Sequence, residues 1–245
     1  MHMLASQSSR AESEATAKPD RGVDRTKHQG GQTLLGLRLA AIVIAALTLM
    51  AACADPEAEA DEHFDLGVAH QEAEELEEAI SEFSAVIRLE PDRHEAYYNR
   101  GIVNANAGNF RTAIDDFDAA IALKPDFADA FHNRALTWGN LDQGWRAVAD
   151  FESATTLDPS LAKAHVAKGA TLINLSQLSQ AIESLDRALL LEPDNPGAYA
   201  IRAVAHAIVS NDAMSDADIA RAIELGYNAT SLQADVDRIR QARGN

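Results

Sequence analysis

The chain of 245 residues is 24% charged and 47% hydrophobic, which suits a globular protein of one or two domains. Its single cysteine excludes an internal disulfide framework, so packing must hold the fold together. The first 52 residues hold six Lys/Arg and four Asp/Glu, which leaves 15 basic and 34 acidic residues from Cys53 onward, a net charge of −19. A surface this acidic repels phosphate backbones, and nucleic acid is therefore not an expected partner.

The amino-terminal segment, residues 1–52, has the composition of a targeting signal. Residues 1–33 are polar, and Arg38 precedes the run LAAIVIAALTLMAA, in which Thr48 is the one polar member of fourteen. A charged lead followed by a short apolar run and small residues is typical of a secretory signal. The positive charges lie on the amino side of the run, which predicts export of the rest of the chain.

The cysteine lies where this apolar run ends. The stretch LMAAC, residues 49–53, resembles the lipobox of bacterial lipoprotein precursors. The resemblance implies cleavage before Cys53, a diacylglycerol on its sulfur, and a lipid anchor in the cell membrane or the outer membrane. Three alternatives stay open. Cleavage after Ala54 would give a soluble periplasmic protein, residues 34–54 could remain as an uncleaved anchor, and Cys53 could be simply a small apolar residue.

Acidic residues dominate the chain directly after Cys53. Residues 53–59 form a predicted acidic tether, and residues 55–82 hold twelve Asp/Glu and no Lys/Arg. One interpretation is a solvated first helix pair with a tether that keeps an anchored domain off the lipid surface. The other is a docking patch for a basic partner, attracted by charge.

A period of 34 residues dominates the remainder of the chain, and no insertion breaks its register. Small residues recur in phase at Gly67, Gly101 and Ala135, which predicts close contact between paired helices. A proline ends each of the first four periods, because it cannot continue a helix, and Tyr227 stands at this position in the fifth. The recurring positions are Pro91, Pro125, Pro159 and Pro193; Ala79, Ala113, Ala147 and Ala181; and Phe83, Phe117, Phe151, Leu185 and Ile219.

The stretch AYYNRGIVNANAGNFRTAIDDFDAAIALKP, residues 96–125, resembles the tetratricopeptide repeat, a helix–turn–helix unit of 34 residues. The resemblance implies an all-α, right-handed superhelical solenoid with a concave face built from the first helix of each unit. Five units are expected at residues 60–93, 94–127, 128–161, 162–195 and 196–227. Residues 228–245 are expected to form a capping helix, because Leu232, Val236 and Ile239 share one helical face and the other face is polar.

In that family, defined positions of each first helix line a groove that binds partner peptides. Asparagine there can donate to and accept from a peptide backbone, and apolar neighbours can take the partner's side chains. Three of the asparagines, Asn106, Asn140 and Asn174, have an alternative role as helix-terminating residues. Transferred onto this sequence, the groove positions are Tyr98, Asn99, Ile102, Asn106, His132, Asn133, Leu136, Asn140 and Asn174.

Charged residues recur as well. Three Arg/Asp pairs sixteen residues apart predict structural ion pairs within repeats, and not a catalytic site: Arg100 with Asp116, Arg134 with Asp150, and Arg202 with Asp218. The sequence predicts no catalytic residue, no cofactor and no metal site, since its histidines show no ligand spacing. Basic residues that could hold a partner's terminal carboxylate are missing from the groove positions apart from Lys163, while Asp61, Glu95 and Asp129 are expected at its rim.

These observations predict a non-enzymatic adaptor in the bacterial cell envelope. A lipid anchor would hold it at the membrane, with the repeats in the periplasm or on the cell surface. Its expected partners are peptide segments of other envelope proteins, including basic ones, and no small-molecule substrate is expected. The alternative is a structural subunit that self-associates through exposed repeat faces.

Overall fold

A computed structural model describes residues 55–243, which form eleven α-helices and no strand. The all-α repeat architecture predicted from the period is confirmed. Ten helices form five antiparallel pairs, and each pair occupies one 34-residue period. The helices are α1 Pro56–Glu72, α2 Leu76–Leu89, α3 His94–Asn106, α4 Phe110–Leu123, α5 Ala128–Asn140, α6 Gly144–Leu157, α7 Ala162–Asn174, α8 Leu178–Leu191, α9 Pro196–Ile208, α10 Asp212–Glu224 and α11 Ala229–Arg243.

Helix α1 begins earlier than the sequence predicts. The Asp55 side chain accepts a hydrogen bond from the Glu57 backbone, Pro56 stands in the first turn, and acidic residues follow. An aspartate cap, a proline at the first position and carboxylates near the positive end of the helix dipole all favour a helix start here. The predicted acidic tether is therefore wrong from Pro56 onward.

The turn within each pair uses the left-handed backbone region. The residues with positive φ at this turn, each 34 residues from the next, are Glu74 at 61°, Gly108 at 79°, Asp142 at 56°, Ser176 at 59° and Ser210 at 62°. Only the second of the five is glycine, the residue that adopts this conformation without steric cost. The other four repeats therefore hold a strained residue at the turn.

Close approach of the paired helices depends on small residues in the first helix. A Cβ at Gly101 would lie 2.8 Å from the Phe117 ring, and one at Gly169 would lie 2.6 Å from Leu185. In the third repeat the same position is Ala135, packed against the equally buried Phe151. The core is thus a row of small side chains against large ones, repeated along the solenoid.

Curvature follows from the pattern of helix contacts. Successive first helices, α1, α3, α5, α7 and α9, contact one another, whereas within residues 55–243 no two second helices do. The first helices therefore lie on the inner, concave side and the second helices on the outer side.

The last helix closes one end of this concave side. Helix α11 contacts α9 more extensively than α10, and Leu232 and Val236 pack against Ala203 and its neighbours on α9. Arg243 reaches across to donate to the Ala207 backbone oxygen at 2.6 Å. The concave face of the fifth repeat is therefore covered, and the open part of the groove runs over the first four repeats.

Two further facts bear on location. None of the helices in residues 55–243 has both the length and the hydrophobicity required to cross a bilayer. The predicted signal segment and Cys53 lie outside the described residues.

Candidate functional site

Five of the nine predicted groove residues line one small cavity on the concave side, between α3 and α5. Its volume is about 160 Å³. The cavity is also lined by Phe117, which is otherwise buried in the core, and by Ala105 and Thr137. The predicted residues that meet there are Ile102, Asn106, Asn133, Leu136 and Asn140.

A hydrogen bond joins the second and third repeats beside this cavity. The Asn133 Nδ2 donates to Tyr98 Oη at 2.8 Å and to the Asp129 backbone oxygen at 3.1 Å. Burial and the nearby charge of Asp129 raise the pKa of Tyr98 to about 12, so the phenol stays neutral at physiological pH. Both amide protons of Asn133 are thus engaged, and its carbonyl oxygen remains for a donor such as a peptide N–H.

The asparagines at the helix ends offer both donors and acceptors. Asn106, Asn140 and Asn174 are exposed and are the last residues of α3, α5 and α7. Within residues 55–243 their side-chain amides make no hydrogen bond that would support a capping role. Asn106 and Asn140 flank the cavity, whereas Asn174 and the half-buried Asn99 do not line it.

His132 is not a surface residue. It is only 6% exposed, and its ring packs against Phe151 with 5.6 Å between centroids. Burial, and then the charge of Lys163, lower the pKa of His132 to about 4, so the ring is neutral at physiological pH. The prediction that His132 lines the groove is wrong, because its side chain fills the space between the two helices of its own repeat.

Each carboxylate at the rim of the groove lies close to an arginine, lysine or histidine side chain. Asp61 pairs with Arg93 at 2.8 Å, Asp129 pairs with Lys163 at 2.6 Å, and Glu95 lies 3.0 Å from the adjacent His94. Lysine and arginine neutralise two of the three charges locally. The rim therefore favours a basic partner less strongly than the sequence alone suggests.

The predicted Arg/Asp positions meet in the structure. The Nη2–Oδ1 distances are 2.6 Å for Arg100 and Asp116, 2.7 Å for Arg134 and Asp150, and 2.7 Å for Arg202 and Asp218. Each aspartate is buried, and each arginine lies against an aromatic ring of its own helix, so these groups are structural.

Each of these arginines has a second partner that the sequence analysis did not identify. The Nη1 of Arg100 donates to Ser84 Oγ at 2.9 Å, that of Arg134 to Asp118, and that of Arg202 to Asp186 at 2.6 Å. These partners belong to the second helix of the preceding repeat. The arginine therefore fastens three helices together, and we call this arrangement the arginine clamp.

The fourth repeat lacks the clamp. Lys168 stands in the arginine position and contacts Glu152 of the preceding repeat at 3.2 Å. Ser184 stands in the aspartate position, and its hydroxyl donates to the Gln180 backbone oxygen. At the clamp position the fourth repeat thus keeps an ion pair to the preceding repeat, but not the bond to its own second helix.

No metal site is evident in the described part of the chain, where no three His, Cys, Asp or Glu side chains converge. His63 and His70 each lie against one glutamate instead, Glu82 at 2.5 Å and Glu75 at 2.6 Å.

The fold and the groove define a class: an α-helical repeat solenoid that serves as a protein-interaction scaffold. Residues 66–135 and 162–195 match the tetratricopeptide repeat family. The chain is therefore a tetratricopeptide-repeat protein. No curated protein matches the chain in sequence.

Several solved structures share the fold. MamA from Desulfovibrio magneticus RS-1 has a TM-score of 0.64 and 21% identity, over 68% of this chain and 94% of that one. PilF of Pseudomonas aeruginosa has a TM-score of 0.67 and 15% identity, over 77% of this chain and 86% of that one. YrrB, a tetratricopeptide-repeat protein with an unusual peptide-binding site, has a TM-score of 0.61 and 20% identity, over 70% and 89%. At these identities the likeness concerns the fold alone.

Proposed function

We propose that this protein is a non-enzymatic adaptor that holds a peptide segment of a partner protein against the concave side of its second and third repeats. The observation that carries the proposal is the cavity between α3 and α5, which the apolar Ile102 and Leu136 line together with Asn106 and Asn140, whose amides make no hydrogen bond within residues 55–243. Asn106 and Asn140 supply donors and acceptors for a peptide backbone, and Asn133 supplies a further acceptor. The peptide-binding site of YrrB, a protein of the same fold, supports this function.

The bound segment would be short and would enter from the open end of the groove. Helix α11 covers the fifth repeat, so a partner has four repeats to contact. The cavity of about 160 Å³ accommodates one side chain, not a folded domain. Affinity would then come from one anchored side chain and several backbone hydrogen bonds, each contributing about 0.5–1.5 kcal/mol.

The test is peptide selection on the full-length chain. Peptides enriched from a random display library would be measured against Leu136→Asp, which places a charge in the groove. Leu157→Asp is the matched control, because Leu136 is 43% exposed and Leu157 is 41% exposed, on the outer helix α6. We expect at least about tenfold weaker binding for Leu136→Asp and parent-like binding for Leu157→Asp. Equal effects of the two substitutions would place the peptide outside the groove.

We also propose that the chain is exported and anchored through a lipid on Cys53, with envelope proteins as its partners. The lipobox-like stretch LMAAC supports this, and with α1 starting at Pro56 the repeats would begin within three residues of the anchor. The intact mass of the protein from bacterial membranes tests it. A chain that starts at lipidated Cys53 supports the anchor, and one that starts at Asp55 refutes it.

A further inference from the structure

A second surface of the molecule carries the chemistry of a docking site. It lies where the turns within the second and third repeats come side by side, at one edge of the solenoid. Its residues surround a cavity of about 570 Å³, which Asp115 and Gln143 also line. It shares no lining residue with the concave cavity. We call this surface the edge patch, and it consists of Arg111, Ile114, Trp138, Leu141 and Arg146.

Tryptophan is concentrated here. The chain has two tryptophans, Trp138 within the patch and Trp145, which precedes the patch residue Arg146 in the first turn of α6. Trp145 is 61% exposed, and the guanidinium of Arg146 lies 4.6 Å from the centroid of a Trp138 ring. Tryptophan and arginine are the residue types most enriched among residues that dominate binding energy at protein interfaces.

The repeat fold does not require these residues. At the same positions in the other helix pairs the chain carries smaller or differently charged side chains. Trp138 corresponds to His70, Asn104, Leu172 and His206; Arg146 corresponds to Glu78, Thr112, Gln180 and Met214. Each of those repeats adopts the same helix–turn–helix structure. The patch is therefore an addition to the fold.

The charge of the patch is opposite to that of the domain. Residues from Cys53 onward carry a net charge of −19. Within residues 55–243 Arg111 and Arg146 form no ion pair, although Arg100, Arg134 and Arg202 each pair with a buried aspartate. Asp115 offsets one charge, which leaves the patch net positive. Two guanidinium groups beside the apolar side chains of the cavity complement a segment that carries carboxylates around an apolar side chain.

We propose that the edge patch is a second docking site, and that it binds an acidic segment of a partner protein with a bulky apolar side chain. The apolar side chain occupies the cavity between Trp138 and Leu141. Carboxylates on either side of it bind Arg111 and Arg146. This site does not depend on the concave groove, and together the two would let one molecule hold two partners.

The two tryptophans report directly on this surface. Intrinsic fluorescence of the full-length chain would be titrated with a synthetic peptide of aspartate and glutamate around a central Phe–Leu pair. We expect a saturable change in tryptophan emission that weakens as salt rises. Two control peptides separate the contributions: one replaces the carboxylates by amides, and the other replaces Phe–Leu by Ala–Ala. Both should bind at least about tenfold more weakly.

Variants locate the site, with binding followed by anisotropy of a fluorescein on the peptide. Trp145→Ala and Arg146→Glu change exposed side chains, so folding is preserved, and each should weaken binding at least about tenfold. Arg187→Glu on α8 is the matched charge control, since it too forms no ion pair within the described residues, and it should weaken binding far less. Equal losses for Arg146→Glu and Arg187→Glu would reduce the effect to net charge and overturn the proposal.

Other outcomes identify other occupants. If tryptophan emission does not change at millimolar peptide, the proposed edge site is refuted, whereas the proposed peptide binding in the concave groove is not affected. Binding that is lost in Leu136→Asp but kept in Trp145→Ala overturns it too, because the acidic peptide would then lie in the groove. A mass that doubles with concentration in the absence of peptide, together with shifted emission, would show that a second copy covers the patch, and it would overturn the proposal of a foreign acidic partner.

Discussion

Replacing Gly108 by alanine should destabilise the protein, although its methyl group would meet no other atom. Gly108 has a φ of 79°, and a Cβ added there has no neighbour within 4 Å. The whole cost is therefore conformational. An L-residue in the left-handed region costs about 1–2 kcal/mol, and the smaller entropy of the unfolded alanine chain offsets about 0.4–1 kcal/mol of it. We expect a net loss of about 1 kcal/mol in the free energy of unfolding.

Gly139 provides the matched control. It lies in α5, its added Cβ also meets nothing within 4 Å, and its φ is ordinary for a helix. Alanine there should raise the stability by about 0.5–1 kcal/mol, because glycine is a poor helix former. The same chemical change should thus have opposite signs at two open positions of one protein.

Thermal and urea unfolding measure both effects. For a chain of this size, 1 kcal/mol corresponds to a change of about 2–4 °C in the Tm. The m-value should stay constant, since neither substitution changes the surface exposed on unfolding. The reasoning on backbone strain would be refuted if Gly108→Ala were neutral, or if both substitutions shifted the Tm in the same direction.

Three further predictions concern packing and charge. Arg202→Ala should lower the free energy of unfolding by about 3 kcal/mol, because it leaves the buried carboxylate of Asp218 unpaired. Lys168→Ala at the equivalent position should lower it by under about 1 kcal/mol, and urea unfolding measures both. Gly101→Val should lower the free energy of unfolding by about 1–3 kcal/mol or more, since the added atoms would overlap with the Phe117 ring. The pKa of His132 is about 4 in the folded protein, below its unfolded value of about 6.5. The stability that the neutral, buried ring contributes is therefore complete above a pH of about 6.5 and is lost as the pH falls toward 4. His132→Phe should flatten this part of the stability curve, and an unchanged slope would refute the argument.

The sequence allowed the repeat fold to be predicted because one unbroken period fixes which residues face each other. The sixteen-residue spacing of Arg134 and Asp150 also brings its two members together as expected. The other partner of Arg134, Asp118, could be found only once the first helix was known to lie between two second helices. The sequence carried one sign of this contact, because an aspartate lies sixteen residues before the arginine at Asp118 and Arg134 and again at Asp186 and Arg202.

The candidate site was less predictable, because the sequence does not show which of the family's groove positions are taken up by packing inside a repeat. His132 and Tyr98 share one repeat position, and the ring of each packs against the core phenylalanine of its own repeat, Phe151 or Phe117. The amphipathic pattern of residues 231–243 identified one apolar face, but it could not show that α9 would be the main neighbour. That contact decides which part of the groove is open.

Function in a repeat protein of this kind is expected where one repeat departs from the others. The pairing of a small residue with a large one recurs along the core, and the arginine clamp recurs in three of the five repeats, so both serve the repeat fold and carry no information about a partner. The asparagines at the ends of α3 and α5 and Trp145 of α6 are exposed, and Trp138 combines contact with the core around Ala147 with a place in the edge patch. Both groups lie in the second and third repeats, and α5 contributes to each, since Leu136 lines the concave cavity and Trp138 lines the edge patch. We therefore expect a groove that offers amides and an edge that offers arginines to select different partners, as the proposed adaptor with two sites requires.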